Sequence, residues 1–266
     1  MIGITRMGGI LSGGVIGSIT PYTTPVSPWF ANGNGSDDIL ALFGAAPTEW
    51  YDTGGVSSGN ITGKIVGNVL TAVTSPLYEQ TYINSTLGAG FDDGTYDSFD
   101  AADTGVHNVT TGAIAILVPV LRNTDIVRGI MGKYSNTAGL GYRLGVVGAP
   151  EDNKLQWVLE GSGAGTNRFL SVPEDLPLSA QAVLCWRSAV SQTCGITSTW
   201  GTEDSNTFAS TLNMSNGGKF ALGSYDTTRA MGSVVGPTVI WEGAAAETVI
   251  TSRVANLAAW WVLASA

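Results

Sequence analysis

The stretch Gly129–Val147, GIMGKYSNTAGLGYRLGVV, decides the fold. It reads as a β-strand over Gly129–Tyr134, a turn rich in Ser, Asn and Gly, and a second strand over Leu140–Val147. In the second strand Tyr142, Leu144 and Val146 fall on one face and Arg143, Gly145 and Val147 on the other. That is the two-residue period of a half-buried antiparallel strand. The flanks repeat the pattern, with Gly112–Leu121 (GAIAILVPVL) before it and Leu155–Glu160 (LQWVLE) after it. Short turns join these segments, so the spacing predicts a meander within a β-sandwich.

Working outward, strands are expected at Glu49–Thr53, Lys64–Leu70, Arg168–Val172, Gln181–Arg187, Thr193–Thr199, Lys219–Gly223 and Ser233–Trp241, with a last one at Trp260–Leu263. Ser36 starts a short helix: acidic Asp37 and Asp38 occupy its first turn, Ile39, Leu40 and Phe43 follow at helical spacing, and Pro47 stops it. Glu247–Leu257 is the other helix, with Val249, Ile250, Val254 and Leu257 on one side. Asp92–Asp103 reads as an acidic turn. No fixed-period repeat is present, which argues against a solenoid or propeller.

Composition narrows the function. A chain of 266 residues can bury a sizeable core, either as one large all-β domain or as a sandwich with appendages. Only 12% of residues are charged and 36 are glycine, which suits short strands, tight turns and an uncharged surface packed among neighbours. Twenty-one acidic against 12 basic residues give a formal charge of −9, and no Lys/Arg cluster offsets it. Such a surface repels phosphate backbones, so nucleic acid is excluded as a direct ligand. No apolar run reaches membrane-spanning length, and no membrane partner is expected.

Residues 1–35 differ from everything after them. Gly/Ile/Ser repeats give way to TPYTTPVSPWFANGNG, where Pro21, Pro25 and Pro28 favour extended backbone. Met1–Ile19 loosely mimics a signal peptide, but five glycines interrupt its apolar part and no A-x-A site follows, so it is expected to be retained. The segment has too little contiguous apolar surface to fold alone. Two readings are open, a segment that packs back on its own domain and an extended assembly arm that docks on neighbouring subunits, and the arm is the one expected. Ile10, Ile16, Tyr22, Trp29 and Phe30 are its candidate partner-binding residues. The domain boundaries are then 1–35 for the arm and 36–266 for the sandwich.

From Ser36 onward the order of features resembles the concanavalin A-like (laminin G-like) jelly-roll domains, especially those of tailed-bacteriophage virion proteins. The stretches that carry the resemblance are APTEWYD, the Gly-rich turn Asp52–Gly59, the acidic FDDGTYDSF, IMGK with its Gly-Tyr-Arg-Leu-Gly partner, LQWVL, GKFALGSYD, and VVGPTVIWEGAAAETVITSRVANL. The resemblance implies an all-β, antiparallel jelly-roll sandwich with one or two short helices. It also implies a non-enzymatic virion structural protein, with capsid decoration or cementing as the favoured role. The expected partners are other virion proteins, the major capsid protein foremost, and copies of itself, and the expected location is the virion. A tail or fibre component, or a glycan-binding module for host attachment, is the alternative.

Enzymatic readings fit poorly. Sandwich endoglucanases need carboxylates on one strand face as in E-x-D-x-x-E; Glu49 and Asp52 are wrongly spaced, and Glu151 and Asp152 are adjacent. Gly55–Gly59 matches G-x-S-x-G, but its surroundings are Gly, Ser, Asn and Thr, and His107, the only histidine, reads as a loop residue. No cofactor is expected beyond a candidate structural Ca²⁺ at Asp92, Asp93 and Asp97, with Asp100 and Asp103 nearby. Carbohydrate is a candidate ligand through Trp50, Trp200 and Tyr225, which lie near turns; Trp157, Trp186 and Trp241 sit inside alternating strands and read as core. If Arg187–Gln192 turns through a two-residue loop at Ala189–Val190, Cys185 and Cys194 face each other and a bridge is open to them; two half-buried thiols in a reducing cytosol is the simpler reading. Sequons at Asn60, Asn84, Asn108 and Asn213 matter only in a glycosylating host.

Overall fold

The computed structural model describes residues 36–54, 59–74, 76–83, 86–91, 97–127, 129–135, 138–146, 153–162, 167–208, 213–224 and 231–265. The arm, with Ile10, Ile16, Tyr22, Trp29 and Phe30, lies outside them. Helix α1 (Ser36–Phe43) comes first, followed by β1 (Glu49–Tyr51), β2 (Asn60–Thr62), β3 (Val69–Val73), β4 (Leu77–Ile83), β5 (Thr86–Phe91) and β6 (Ser98–Ala101). The middle of the chain is β7 (Ile114–Val127), β8 (Gly129–Ser135), β9 (Leu140–Val146), β10 (Leu155–Glu160) and β11 (Asn167–Ser171). Then come β12 (Gln181–Ser188), β13 (Thr193–Ser198), β14 (Asp204–Thr207), β15 (Phe220–Leu222), β16 (Met231–Val235) and β17 (Thr238–Glu242), and finally α2 (Gly243–Thr251) and α3 (Arg253–Ser265).

The strands form two antiparallel sheets. Among the described residues sheet I has nine strands, in the order β14-β13-β12-β7-β16-β5-β4, with β17 pairing both β7 and β1. Sheet II has eight, in the order β11-β10-β9-β8-β15-β6-β3-β2. The fold is the expected all-β jelly-roll sandwich. Strands β8, β9, β10 and β11 form a meander, as the deciding stretch predicts. The strand before it does not join: β7 pairs β12, β16 and β17 in sheet I, so the chain crosses between sheets after β7.

Alternation explains the main core. Tyr142 and Leu144 of β9, Leu155, Trp157 and Leu159 of β10, and Ile114, Ile116 and Val118 of β7 all point between the sheets and are fully buried. The opposite face of β7 is apolar too, with Ala115 and Leu117, as are the outer faces of β12 (Ala182, Leu184, Trp186) and β17 (Val239, Trp241). A strand apolar on both faces must be covered on both. Helices α2 and α3 pack on β7, β12, β13 and β17 and supply that cover, burying Ala246, Val249, Ile250, Leu257 and Trp260. Two carboxylates fix the layer. Glu203 holds Arg253 through Nε (2.6 Å) and Nη2 (2.5 Å), and the guanidinium lies 4.1 Å over Trp186. Glu247 of α2 accepts from Ser188 Oγ (2.7 Å) and the Ala189 and Val190 N–H groups (2.7 and 3.0 Å), pinning the β12–β13 turn. No helix among the described residues is long and apolar enough to cross a membrane.

Several expectations are corrected. Trp260–Leu263 is not a strand but part of α3, and the single helix expected at Glu247–Leu257 is two helices broken at Ser252. Ser233–Trp241 is two strands, split by Gly236-Pro237, because proline has no N–H for the ladder. Lys64–Asn68 is a loop, and its strand runs over Val69–Val73; β6 lies inside the supposed Asp92–Asp103 turn. Helix α1 ends at Phe43, where Gly44 takes φ +75° and donates to the Leu40 carbonyl, rather than at Pro47. In the β12–β13 hairpin Cys185 pairs with Ile196 and Cys194 with Arg187, so a four-residue turn moves the thiols out of register. Both are free and buried rather than half-buried. Opposite Trp186 sits Gly195, where an added Cβ would lie 2.3 Å from the indole.

Candidate functional site

The densest chemistry is a hydrogen-bonded line at one end of the sandwich that the sequence does not announce. Tyr51 Oη lies 2.8 Å from His107 Nε2, and His107 Nδ1 lies 2.7 Å from Glu242 Oε1. Tyr142 Oη donates to the His107 carbonyl at 2.9 Å, and the imidazole packs edge-on to Phe220 with centroids 4.9 Å apart. His107 is thus not a loop residue in the loose sense: φ is +51°, a strained value for a non-glycine, and only 5% of its surface is exposed. Tyr51 is 0% exposed, and only Glu242, with a side chain 33% exposed, reaches solvent. Burial, then the Glu49 and Glu242 carboxylates, push the Tyr51 phenol well above its ordinary pKa. Tyr142 is likewise raised by burial, with Glu242 and Tyr51 adding to it. A Tyr–His–carboxylate line has the parts of a proton relay, but sealed this way it ties β1, the 105–109 segment and the end of β17 together.

Beside it, Glu49 is fully buried, yet the structure surrounds it with donors. Its carboxylate accepts from the backbone N–H groups of Trp50 (3.2 Å), Ile65 (2.8 Å), Val66 (3.2 Å), Gly67 (3.1 Å) and Asn68 (3.3 Å). Successive N–H groups converging on an anion form a nest. Gly63 is required there, because an added Cβ would lie 2.3 Å from the carboxyl carbon. The loop held this way presents Ile65 and Val66, 45% and 63% exposed. Lys133 plays the cationic counterpart: its side chain, in β8, faces the core and donates to the Thr104 and Gly218 carbonyls. Burial pulls its pKa down to about 8. Arg187 donates to the Thr110 and Thr111 carbonyls at 3.3 Å and stacks on Phe208, and burial lowers it to about 10. Burial also raises Cys185 strongly and pushes Cys194 up to about 12, so neither thiol is poised for nucleophilic work.

The predicted sugar-binding aromatics are not brought together. Trp50 is corrected outright: 1% exposed, it belongs to the core under the C-terminal helices, with Lys64 Nζ 5.8 Å from its ring. Its strand pairs β17 edge to edge, which turns Trp50 inward toward the helix layer. Trp200 is half-buried against the main core and donates to the Glu174 carbonyl at 3.4 Å. Tyr225 lies outside the described residues, as do Asp92 and Asp93. Asp97 is 2% exposed, Asp100 accepts from Ser98 Oγ at 2.5 Å, and Asp103 accepts from the Gly105 N–H at 2.7 Å. Among the described residues no three His, Cys, Asp or Glu side chains gather to hold a metal ion. Of the G-x-S-x-G motif only Gly59 is described.

Sheet II carries a polar row instead. One ladder runs across seven strands through Val158, Arg143, Gly132, Ala221, Asp100, Thr71 and Asn60, all on the face turned away from the core. At one end Tyr134 Oη donates to Glu160 Oε2 (2.5 Å), Arg143 Nη2 lies 3.4 Å from Glu160 Oε1, and the guanidinium stacks 4.5 Å over the Tyr134 ring. Between Arg143 and Asp100, three strand spacings or about 14 Å apart, the row is filled by Gly132 and Ala221, both buried, and Val158 beyond Arg143 is buried too.

The chain matches no family model and no curated protein sequence. Solved structures do resemble it. The binding domain of Paraclostridial Mosquitocidal Protein 1 aligns with a TM-score of 0.54 at 11% identity, over 79% of this chain and 52% of that one. The binding domain of botulinum neurotoxin serotype D gives 0.54 at 7% identity, over 78% and 50%. A Trypanosoma rangeli sialidase in complex with sialic acid gives 0.50 at 8%, over 79% and 32%. The chain therefore spans about half the length of the two toxin domains. At such identities the likeness is one of fold: this is an all-β sandwich of the jelly-roll type.

Proposed function

We propose that the chain is a non-enzymatic structural protein of a tailed-phage particle, a capsid decoration or cement protein whose sandwich is tethered by residues 1–35. The observation that carries this reading is the division of charge. Residues 1–35 contain one charged side chain, Arg6, whereas all 21 carboxylates lie in the body. An uncharged leader can be buried between subunits with little desolvation penalty, while an acidic body keeps to the outside. The interior polar groups fit the same reading, since Tyr51, His107, Glu49, Lys133 and Arg187 each close the sandwich on itself. Contacts that exist only in the assembled shell would stabilise it by mass action. The partners are the major capsid protein and further copies of this chain, and the location is the virion.

The test is incorporation into particles by the full chain with Trp29→Ala and Phe30→Ala together, and by a chain lacking residues 1–35. Both are expected to stay folded and to be lost from purified particles. Normal incorporation of either removes the arm from the mechanism. A second reading, carbohydrate binding for host attachment, is favoured by the Arg143, Glu160 and Tyr134 cluster at the rim of the sheet II row. Aromatic and charged groups side by side suit a polar ring. A glycan array with no signal above background removes this second reading.

A further inference from the structure

Helix α3 violates the rule for a surface helix. Its inner side buries Leu257 and Trp260, as expected. Its outer side, where polar residues belong, is Val254, Ala255, Ala258, Ala259 and Val262, all exposed, with Val254 at 55% and Val262 at 67%. No charged residue follows Arg253 to the end of the chain. Apart from Arg253, Asn256 and Ser265 the helix is apolar on every side, the pattern of a buried helix. The stripe continues onto α1, which packs against α3 and exposes Leu40 (43%) and Ala41.

We propose that this α1–α3 stripe is the seat of the chain's own residues 1–35 in the subunit before assembly, an inference that rests on those residues being the assembly segment. The place where the segment ends is the first argument. Its last residue is bonded to Ser36, the start of α1, so the segment begins beside the stripe. Trp29 and Phe30 precede Ser36 by seven and six residues, a reach of up to about 24 Å. The stripe from Val254 to Val262 is about 12 Å long. Chemistry is the second argument: an uncharged segment meets an uncharged helix, on a body whose net charge elsewhere is strongly negative. A short tether also gives the segment a high effective concentration over its own helix, above that of any other copy in dilute solution. Assembly then exchanges this seat for one on a neighbour, and the free subunit is kept from associating through its bare helix.

The experiment uses the full chain carrying Val262→Cys, with maleimide labelling as the readout and Val190→Cys, at an 83% exposed turn, as the open control. Cys185 and Cys194 are buried and are checked for silence in the parent chain. Labelling at residue 262 is expected to be slower than the control by about tenfold or more, independent of protein concentration. Adding Trp29→Ser and Phe30→Ser should bring it to the control rate. Equal rates at 262 and 190 in the intact chain overturn the proposal, as does protection that survives the leader substitutions. Protection that grows with protein concentration assigns the stripe to a second copy and also overturns it. If Val262→Cys does not fold, Val254→Cys takes its place. Lost incorporation of the Trp29 and Phe30 variants together with an open helix defeats this inference alone, whereas normal incorporation with a protected helix defeats the assembly reading alone.

Discussion

The outer faces of the two sheets follow opposite rules. Sheet I turns Trp50, Trp186 and Trp241 outward from the sandwich and then buries them under α2 and α3, with Phe43 of α1 5.2 Å from Trp241. Sheet II turns Arg143, Asp100, Thr71 and Asn60 outward, and the helices make their main contacts with sheet I only. Among the described residues the helices thus add a third layer over sheet I and make no main contact with sheet II. The same backbone pattern serves as core on one face and as a polar surface on the other, and the side chains alone decide which.

The largest expected effect lies in the helix-covered layer. Trp241 is fully buried, and its indole N–H donates to the Ala45 carbonyl at 3.1 Å. Trp241→Ala should lose about 3–5 kcal/mol in urea unfolding, because both the packing and a buried hydrogen bond disappear. A loss below about 1 kcal/mol would mean the helices are an ornament on a two-layer sandwich, since surface substitutions fall in that range. Next comes Glu49→Gln, expected to cost about 2–3 kcal/mol, since an amide cannot accept from five converging N–H groups with both its heavy atoms. Hydrogen exchange at Ile65–Asn68 should accelerate in the same variant.

These sites differ in how far the sequence foretold them. Alternation in Leu140–Val146 and Leu155–Glu160 is local, so the meander and the burial of Trp157, Trp186 and Trp241 could be read directly. The four apolar residues Trp260–Leu263 could not, because so short a run fits strand or helix equally until a partner surface selects one. That partner is sheet I, where α3 meets β12 (Gln181–Ser188) and β13 (Thr193–Ser198), far earlier in the chain. Trp50 sat beside turn residues and looked exposed; only its pairing with Val239 turns it into the helix layer. The Tyr51, His107 and Glu242 line joins residues 56 and 135 positions apart, a spacing with no local signature. One signal was available: His107 is the sole histidine in a chain with few charges.

A smaller effect follows from Lys133. Its folded-state pKa of about 8 lies below the ordinary 10.5, so the unfolded chain binds the proton more tightly. The resulting penalty is fully present below pH 8 and is relieved as pH rises from 8 toward 10.5. Cys185 and Cys194 work in the opposite sense above pH 9, since unfolding lets them ionise. The clean readout is therefore a difference between the wild type and Lys133→Met. Wild-type stability should gain about 1 kcal/mol on the variant between pH 7.5 and pH 9. A flat difference would show that the Thr104 and Gly218 carbonyls hold the proton on the amine throughout.

The smallest effect is expected on the sheet II side, and it is the sharpest test of the contrast. Arg143 sits on the outer row of sheet II, stacked on Tyr134 and 3.4 Å from Glu160. Replacing it by Gln removes an ion pair of long geometry while Tyr134 continues to donate to Glu160. Partly exposed pairs of this kind contribute about 0–1 kcal/mol, so Arg143→Gln should shift stability by about 0.5 kcal/mol. The corresponding position of sheet I, in the row of Leu117 and Leu184, has no such tolerance, because a polar side chain there would meet the apolar side of α2 or α3. If Arg143→Gln instead costs as much as Trp241→Ala, the outer row of sheet II is itself a packed interior. The molecule would then have three layers on both sides, and a sugar-binding trough would have no place on it.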